Sequence, residues 1–501
     1  MTAPSPLLIR ADAGGDLGTG HVMRMIALAQ AWQDRGGKVV MASCRCPDPL
    51  ALRLRAEHIV AEPIAAEPDS SEDLKQTTRL AHNLGATWVV LDGYHFREAF
   101  QQALRDSGSR VLAVDDCSHC RHWPADLVLN TNLHAEELRS GYERSNPDTR
   151  FLLGARYALL RREFTREAGA SHRSRHHPPH LLVTFGGVDP GGATIQIIDA
   201  LETIGSPPWL CRVIVGGANP RIEEIRNRVA RSARPMELRA DVEDMTYEYL
   251  WADAVISAGG SSCHEWLRYN LPAWVVSIAP NQDPILDAIK RQALACTAGR
   301  IEDHRDPVRL GESLSSWLAN PRPPARHPVD GWGATRITCE LEHDPCWIRP
   351  VQTASADDAR FLFSLANDPT VRAAGYHPAA IPWENHLAWV NRHANHPGSR
   401  LWFIVHRNGE SAGFIRFHLQ PGGAWEIGIS IHESFRGGGI AKSALKLAMA
   451  RHTRESGEVD WIATIRPSNA SSQNLFQALG FRVSLATGER SEWRLHSSRI
   501  P

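Results

Sequence analysis

Four glycines between an apolar run and an amphipathic helix set the terms for the first part of this chain. Leu7 to Ile9 reads as a short strand, and Gly14, Gly15, Gly18 and Gly20 as a loop. Val22, Met25, Ile26 and Ala29 form the apolar stripe of a helix that stops at Gly36-Gly37. Strand, glycine-rich loop and helix together aim free backbone N–H groups at an anion. The spacing matches neither G-x-G-x-x-G nor G-x-x-x-x-G-K-[ST], so neither a dinucleotide site nor a P-loop follows. His21 stands at the helix start, where the macrodipole disfavours imidazolium and leaves a neutral ring able to accept a proton. For a histidine met alone, capping or packing is the plain alternative.

A chain of 501 residues exceeds one ordinary core and implies two to four domains. Its net charge of −1 gives no reason to expect nucleic acid as a partner. No apolar run reaches bilayer length and no signal-peptide pattern opens the chain, so the expectation is a cytoplasmic protein without membrane contact. Nine irregularly spaced cysteines suit reduced thiols rather than a disulfide framework. The cluster Cys117-Ser-His-Cys120-Arg-His122 has no second ligand pair at zinc spacing, and it reads as a loop; no metal is expected.

Residues 1–168 alternate buried β-rich runs with helical stretches, the pattern of a parallel sheet. After Lys38 to Ser43 come Trp88 to Asp92, Arg110 to Asp116 and Asp126 to Asn130. Ligands of such sheets gather at the carboxyl ends of strands, where Asp92, Tyr94, Asp115 and Asp116 fall. Turn chemistry is the alternative for Asp115-Asp116. Residues 169 to 180, polar and histidine-rich, read as a linker opening a second α/β unit over 169–320. In that unit Ala254-Val-Ile-Ser-Ala-Gly-Gly-Ser-Ser-Cys-His-Glu265 runs from a strand through glycines into a helix begun by Ser261. Free N–H groups there suit a diphosphate, and Glu265, one turn in, suits a ribose hydroxyl pair.

These segments resemble a family. Ile9 to Met25 is similar to the start of the UDP-linked diacetamido-trideoxyhexose hydrolase of pseudaminic acid biosynthesis. So are "LDGYHF" (91–96), "GARYALLRREF" (154–164), "VTFGGVDPGG" (183–192) and "SIAPNQDP" (277–284), in the same order. The resemblance implies the GT-B arrangement of two Rossmann-type domains, with His21 as catalytic base and Tyr94 and Asn281 lining the sugar site. Asp12, Gly18, Gly20, Gly186, Gly259, Gly260, Ser261, Ser262 and Glu265 would then hold the UDP sugar.

Proline-rich residues 320 to 331 mark a boundary, and 321–345 is expected to be a linker. The region 346–501 has a different rhythm: a strand, two helices near 357–368 and 383–395, then strands at Arg400–His406, Ala412–Leu419 and Trp425–His432. Arg436, Gly437, Gly438, Gly439, Ile440 and Ala441 follow, a run small enough to let backbone N–H groups approach a pyrophosphate. A further strand, an Asn469-led helix and the ending Leu479-Gly-Phe481 complete a pattern that resembles the GNAT acetyltransferases, an α+β fold. That resemblance implies acetyl-CoA as cosubstrate, held by the glycine loop, Asn469 and the strand bearing Ile429 and Ile431. Phe476 stands where many members carry the tyrosine that protonates the departing thiolate, and it has no proton to give. Tyr376, in a loop, is a substitute candidate, and Glu426 a candidate base.

The expectation is an α/β chain with a GT-B-like pair of Rossmann-type domains followed by a GNAT domain. It would N-acetylate a UDP-linked 4-amino-dideoxy sugar and hydrolyse the diacetamido product to free sugar and UDP. The alternative is a glycosyltransferase whose GNAT module binds acetyl-CoA or a partner without catalysis.

Overall fold

The computed structural model describes residues 4–14, 20–142, 148–165, 176, 178–187, 189, 191–205, 209–217, 219–344, 346–353, 355–374, 379–394 and 398–496. The first sheet holds β1 (Leu7–Ala11), β2 (Val39–Ser43), β3 (Val60–Pro63), β4 (Trp88–Asp92), β5 (Arg110–Val114), β6 (Leu127–Asn130) and β7 (Arg150–Leu153). Their order is β3-β2-β1-β4-β5-β6-β7, every neighbour parallel. All five residues of β1 and of β4 are buried, as strands covered by helices on both faces must be. The helix Gly20–Asp34 covers one face with Val22, Met25, Ile26 and Ala29. The order reverses between β1 and β4, so the loops after these two strands open a crevice.

A second parallel sheet repeats the plan with β8 (His180–Thr184), β9 (Leu210–Val215), β10 (Met236–Ala240), β11 (Ala254–Ala258), β12 (Ala273–Ser277) and β13 (Cys296–Arg300). Its order is β10-β9-β8-β11-β12-β13, with the reversal between β8 and β11. The two halves share a core. Ala155, Ala158, Leu160 and Phe164 leave the first sheet and pack with Tyr249, Trp266 and Leu267 of the second. Two Rossmann-type units joined in this way form the GT-B architecture.

Within residues 321–345, expected to be a plain linker, Gly333–Glu342 is a helix. It returns to the first half, where Ala334, Ile337 and Leu341 enter the same core as Val22 and Met25. Its first residue has to be glycine: a Cβ at Gly333 would lie 2.3 Å from the Ala158 carbonyl oxygen. The prolines just before it end helical periodicity in the sequence, but the stripe at 334, 337 and 341 resumes it. Ile337 is fully buried. Ile337→Ala is expected to destabilise the first half by about 3 kcal/mol, read from its urea transition, whereas a solvated connector would lose under about 0.5 kcal/mol.

The last region is a mixed sheet of β14 (Cys346–Pro350), β15 (Arg400–Arg407), β16 (Glu410–Leu419), β17 (Trp425–Ile431), β18 (Asp460–Ile465), β19 (Arg482–Ala486) and β20 (Ser491–His496). The order is β14-β15-β16-β17-β18-β20-β19. Helices Ile440–Ser456 and Ala470–Ala478 cover one face; Ala356–Ala366 and Trp383–Ala394 cover part of the other. Among neighbouring strands only β17 and β18 run parallel, and they pair at Trp425↔Trp461 and Glu426↔Ile462 alone before diverging. This region docks on the first half: Arg35 donates to the Cys346 carbonyl at 3.1 Å and pairs with Asp344 at 3.1 Å, and Arg454 pairs with Asp34. Among the described residues no helix is long and apolar enough to cross a membrane.

Candidate functional site

At the crevice of the first sheet the helix Gly20–Asp34 sets two side chains one turn apart against two strand ends. His21 Nδ1 lies 2.7 Å from Asp92 Oδ1 at the end of β4. Arg24, three residues on and therefore on the same helix face, donates to both Asp92 oxygens at 2.6 Å and to both Asp116 oxygens at 2.8 and 3.0 Å. Tyr94 Oη donates to Asp116 at 2.9 Å, and its ring meets that of His21 edge-on with centroids 5.4 Å apart. Asn132 Nδ2 donates to Asp116 at 2.9 Å.

The electrostatics follow from that packing. Burial alone would push the Asp92 carboxyl up, but Arg24 and then His21 reverse this and hold it below its ordinary value. Asp116 is likewise held below its ordinary value, its burial outweighed chiefly by Arg24. Burial and the Asp116 charge push the Tyr94 phenol up, so it stays a proton donor. Asp92 orients the His21 ring through Nδ1, and 12% of the His21 side chain is exposed. Arg24 is the site residue that sequence reasoning passed over. The i, i+3 spacing from His21 is its one trace in the sequence, and that alone does not set it apart from a solvated arginine.

Asp115 and Asp116 part company. Asp115 binds the N–H groups of Cys117, Ser118 and His119 together with the His119 ring and the Tyr142 hydroxyl. It is the turn residue, and Asp116 alone faces the crevice. Asp115, Cys117 and His119 bring three ligand-type atoms together, as do His176, His180 and Asp253, while Cys120 and His122 join neither group. Asp12 departs from its expected place on the substrate. One oxygen accepts from the Cys44 and Arg45 N–H groups at 2.6 and 3.1 Å, the other meets Arg10 at 2.8 Å, and the side chain is 1% exposed. Burial pushes this carboxyl up, but His95, Arg10 and the backbone bring it down to about 2. Asp12 therefore ties the β1 and β2 loops together. Gly20 starts its helix exposed, and Gly18 lies outside the described residues.

Across the crevice the β11 loop presents Gly259, Gly260, Ser261 and Ser262. Among the described residues the N–H groups of Gly260, Ser261 and Ser262 have no acceptor. Gly259 abuts Leu286, and Gly260 sits 3.6 Å, as a built Cβ, from the Gln282 amide, which places Asn281, exposed, beside this loop. Gly186, at φ 81°, turns the chain after β8. Glu265 is engaged rather than free: Tyr249 Oη donates to it at 3.0 Å and Arg161 stands 3.7 Å away. Its pKa is raised, burial outweighing Arg161. The halves meet beside this loop, since His264 bonds the Thr131 carbonyl and Gln292 donates to the Leu133 carbonyl at 3.1 Å. Burial brings the His264 ring down to about 4, so it is neutral there.

In the last region the divergence of β18 leaves the β18 side of β17 from Ile427 to Ile431, including Ile429 and Ile431, without a strand partner among the described residues. Gly437 and Gly439 take φ of 85° and 74°, values that glycine alone adopts freely, and Gly439 caps the 17-residue helix begun by Ile440 and Ala441. Gly438 packs beside Arg407, and Arg436 turns back to donate to the Ile431 carbonyl at 2.9 Å. An open strand edge running into a glycine-lined helix start fits an extended thiol cofactor ending in a pyrophosphate. Glu426 accepts from Gln420 at 2.7 Å and Thr464 at 2.9 Å. Asn469 spends its carbonyl on capping the helix Ala470–Ala478 through the Ser472 N–H at 3.0 Å. Phe476 is buried against Phe481, and Tyr376 lies outside the described residues.

Residues 347–482 match the family model described as Acetyltransferase (GNAT) domain. The whole chain is 21% identical to an uncharacterized protein of Methanocaldococcus jannaschii, over 97% of this chain and 98% of that one. It is 23% identical to the UDP-2,4-diacetamido-2,4,6-trideoxy-beta-L-altropyranose hydrolase of Campylobacter jejuni, over 55% of this chain and 93% of that protein. A third relative is the spore coat polysaccharide biosynthesis protein SpsG of Bacillus subtilis, 23% identical over 67% of this chain and 97% of its own. The chain thus joins a GT-B region similar to a UDP-sugar hydrolase to a GNAT acetyltransferase domain.

Proposed function

We propose that the chain carries out two consecutive steps on one sugar nucleotide of a pseudaminic-type pathway, acetylating an amine and then releasing the sugar from UDP. The observation that carries the hydrolytic step is the Asp92–His21 pair, held by Arg24 at the carboxyl edge of the first sheet. His21 Nε2 takes a proton from water as the water oxygen bonds to the anomeric carbon; the bond from that carbon to the diphosphate oxygen breaks, and UDP leaves with the electron pair. The unpaired N–H groups of Gly260, Ser261 and Ser262 are placed to balance charge on the leaving diphosphate. Glu265, oriented by Tyr249, keeps lone pairs to accept from a ribose hydroxyl.

Acetyl-CoA, when bound, supplies an acetyl group activated as a thioester. Glu426, oriented by Gln420 and Thr464, keeps a second lone pair on each oxygen and takes the proton that the amine loses on forming the amide. Phe476 supplies no acid for the thiolate, so water or a donor from the substrate side has that task. The domains assigned to these roles are residues 1–320 with the helix Gly333–Glu342, and residues 346–501.

The deciding experiment feeds purified protein the UDP-linked 4-amino sugar, with and without acetyl-CoA, and follows products by mass spectrometry. Free diacetamido sugar and UDP arising only with acetyl-CoA are expected. If the sugar appears on an added acceptor instead of water, the first region is a glycosyltransferase. If acetyl-CoA binds and no amine is acetylated, the last region is a binding module.

A further inference from the structure

The face of the last sheet that carries Glu426 also carries two arginines that, among the described residues, hydrogen-bond no carboxylate. Directly opposite residues of antiparallel strands share a face. The register sets His418 opposite Glu426, Arg416 opposite Gly428, Arg400 opposite His418 and Trp402 opposite Arg416. A Cβ at Gly428 would lie 2.4 Å from Arg416 Nε, so the arginine side chain lies across β17 in the space this glycine leaves, one residue pair from Glu426. Among the described residues neither Arg400 nor Arg416 forms a salt bridge or donates a hydrogen bond, and Glu426 acts on the Arg416 charge through space alone. Both Glu426 oxygens are already bonded, to Gln420 and Thr464. Arg10, Arg24, Arg161 and Arg349, by contrast, each hold a carboxylate.

His418 sits between the two guanidinium groups. Burial, then Arg416 and Arg400, bring its pKa down to about 4, so the ring is neutral at physiological pH. Trp402 Nε1–H donates to its Nε2 at 3.4 Å, which places the ring proton on Nδ1 as a further donor. Helices Ala356–Ala366 and Trp383–Ala394 cover the neighbouring Trp402, Ile404 and Phe414, while Arg416 stays exposed. Two cations and a neutral donor on one open face match a group with two negative charges and several acceptor oxygens. One to two strand spacings, about 5–10 Å, separate them from Glu426, which is the scale of a hexose ring between an amine and its anomeric phosphate.

We propose that Arg400, Arg416 and His418 form an anion subsite that holds the diphosphate of the acetyl acceptor, so that this domain selects nucleotide-linked amines over free amino sugars. The subsite rests on the reading that the last region acetylates a UDP-linked amine. Glu426 takes the amine proton at one end of the sugar, and the arginines fix the other end. Gly428 is then a specificity residue by omission, since any side chain there displaces Arg416.

The test compares the UDP-linked amino sugar with the same amino sugar lacking the nucleotide, in the full chain and its Arg416→Gln and Arg416→Lys variants. Arg416→Gln is expected to raise KM for the nucleotide-linked acceptor by more than about tenfold, with Arg416→Lys between, as the loss of a charge-assisted bond requires. KM for acetyl-CoA and kcat/KM for the free amino sugar stay within about twofold, which a general loss of folding would not spare. Equal KM values in parent and Arg416→Gln overturn the subsite. If the parent acetylates no nucleotide-linked amine, the acetylation reading fails, and calorimetric titration with UDP judges the subsite separately. Two equivalents bound by the parent and one by Arg416→Gln sustain it; the same stoichiometry in both overturns it.

Discussion

His21→Asn is expected to lower the rate of UDP release from the diacetamido sugar nucleotide by about 10²–10⁴-fold, the usual contribution of a positioned base. Affinity for UDP, measured by calorimetry, should change little. The asparagine amide still has an N–H to offer Asp92, and Arg24 still binds both carboxylates, so the substitution removes the basic nitrogen without leaving a buried charge unpaired. Asp92→Asn tests the layer behind it. Loss of the carboxylate that fixes the His21 tautomer should cost about 10–100-fold in kcat with KM preserved. Equal losses of turnover and UDP binding in His21→Asn would instead mark a structural histidine.

Gly439→Val should separate the two activities. At φ 74° a β-branched residue has no comfortable conformation, and strain of about 1–3 kcal/mol must be carried or relieved. Relief means moving the turn that opens the helix Ile440–Ser456, and with it the N–H groups offered to a pyrophosphate. Acetyl-CoA binding is expected to weaken by about 10²-fold. Hydrolysis of the already acetylated sugar nucleotide should persist unchanged, because the first crevice belongs to a different sheet. Undiminished acetyl-CoA affinity would refute the role assigned to Gly437–Gly439.

What could be read from the sequence follows a physical line. Strands buried on both faces, such as β1, β4, β5 and β11, announce themselves as apolar runs. Exposed edge strands do not: every residue of β3 and of β19 is exposed, and Cys296-Thr-Ala-Gly-Arg300 gives no β pattern for β13. The carboxylates at the crevice were legible because a strand end in a parallel sheet is a privileged position. Arg24 was not, since an arginine on an amphipathic helix reads by default as a solvated residue; only the arrival of Asp92 and Asp116 from strands 68 and 92 residues away gives it a role. Asp12 failed in the opposite sense. Its place at the end of β1 is right for a ligand, but its neighbours are the N–H groups of the β2 loop, which local sequence does not disclose. Arg400 and Arg416 needed the register of three strands before they met.

The helix Gly333–Glu342 makes the seam between the GT-B region and the last region asymmetric. A gene cut at the proline-rich stretch would leave the first part with an open apolar trough where Ile337 and Leu341 had been, facing Val22 and Met25. The excised partner would carry an orphan helix on its leading end. A cut after Asp344 leaves the trough filled, and it parts Trp347 from Trp332 and Cys339 as well as breaking the Arg35–Cys346 and Arg454–Asp34 contacts. Shuffling of such modules between genomes would therefore be expected to carry this helix with the part that lies upstream.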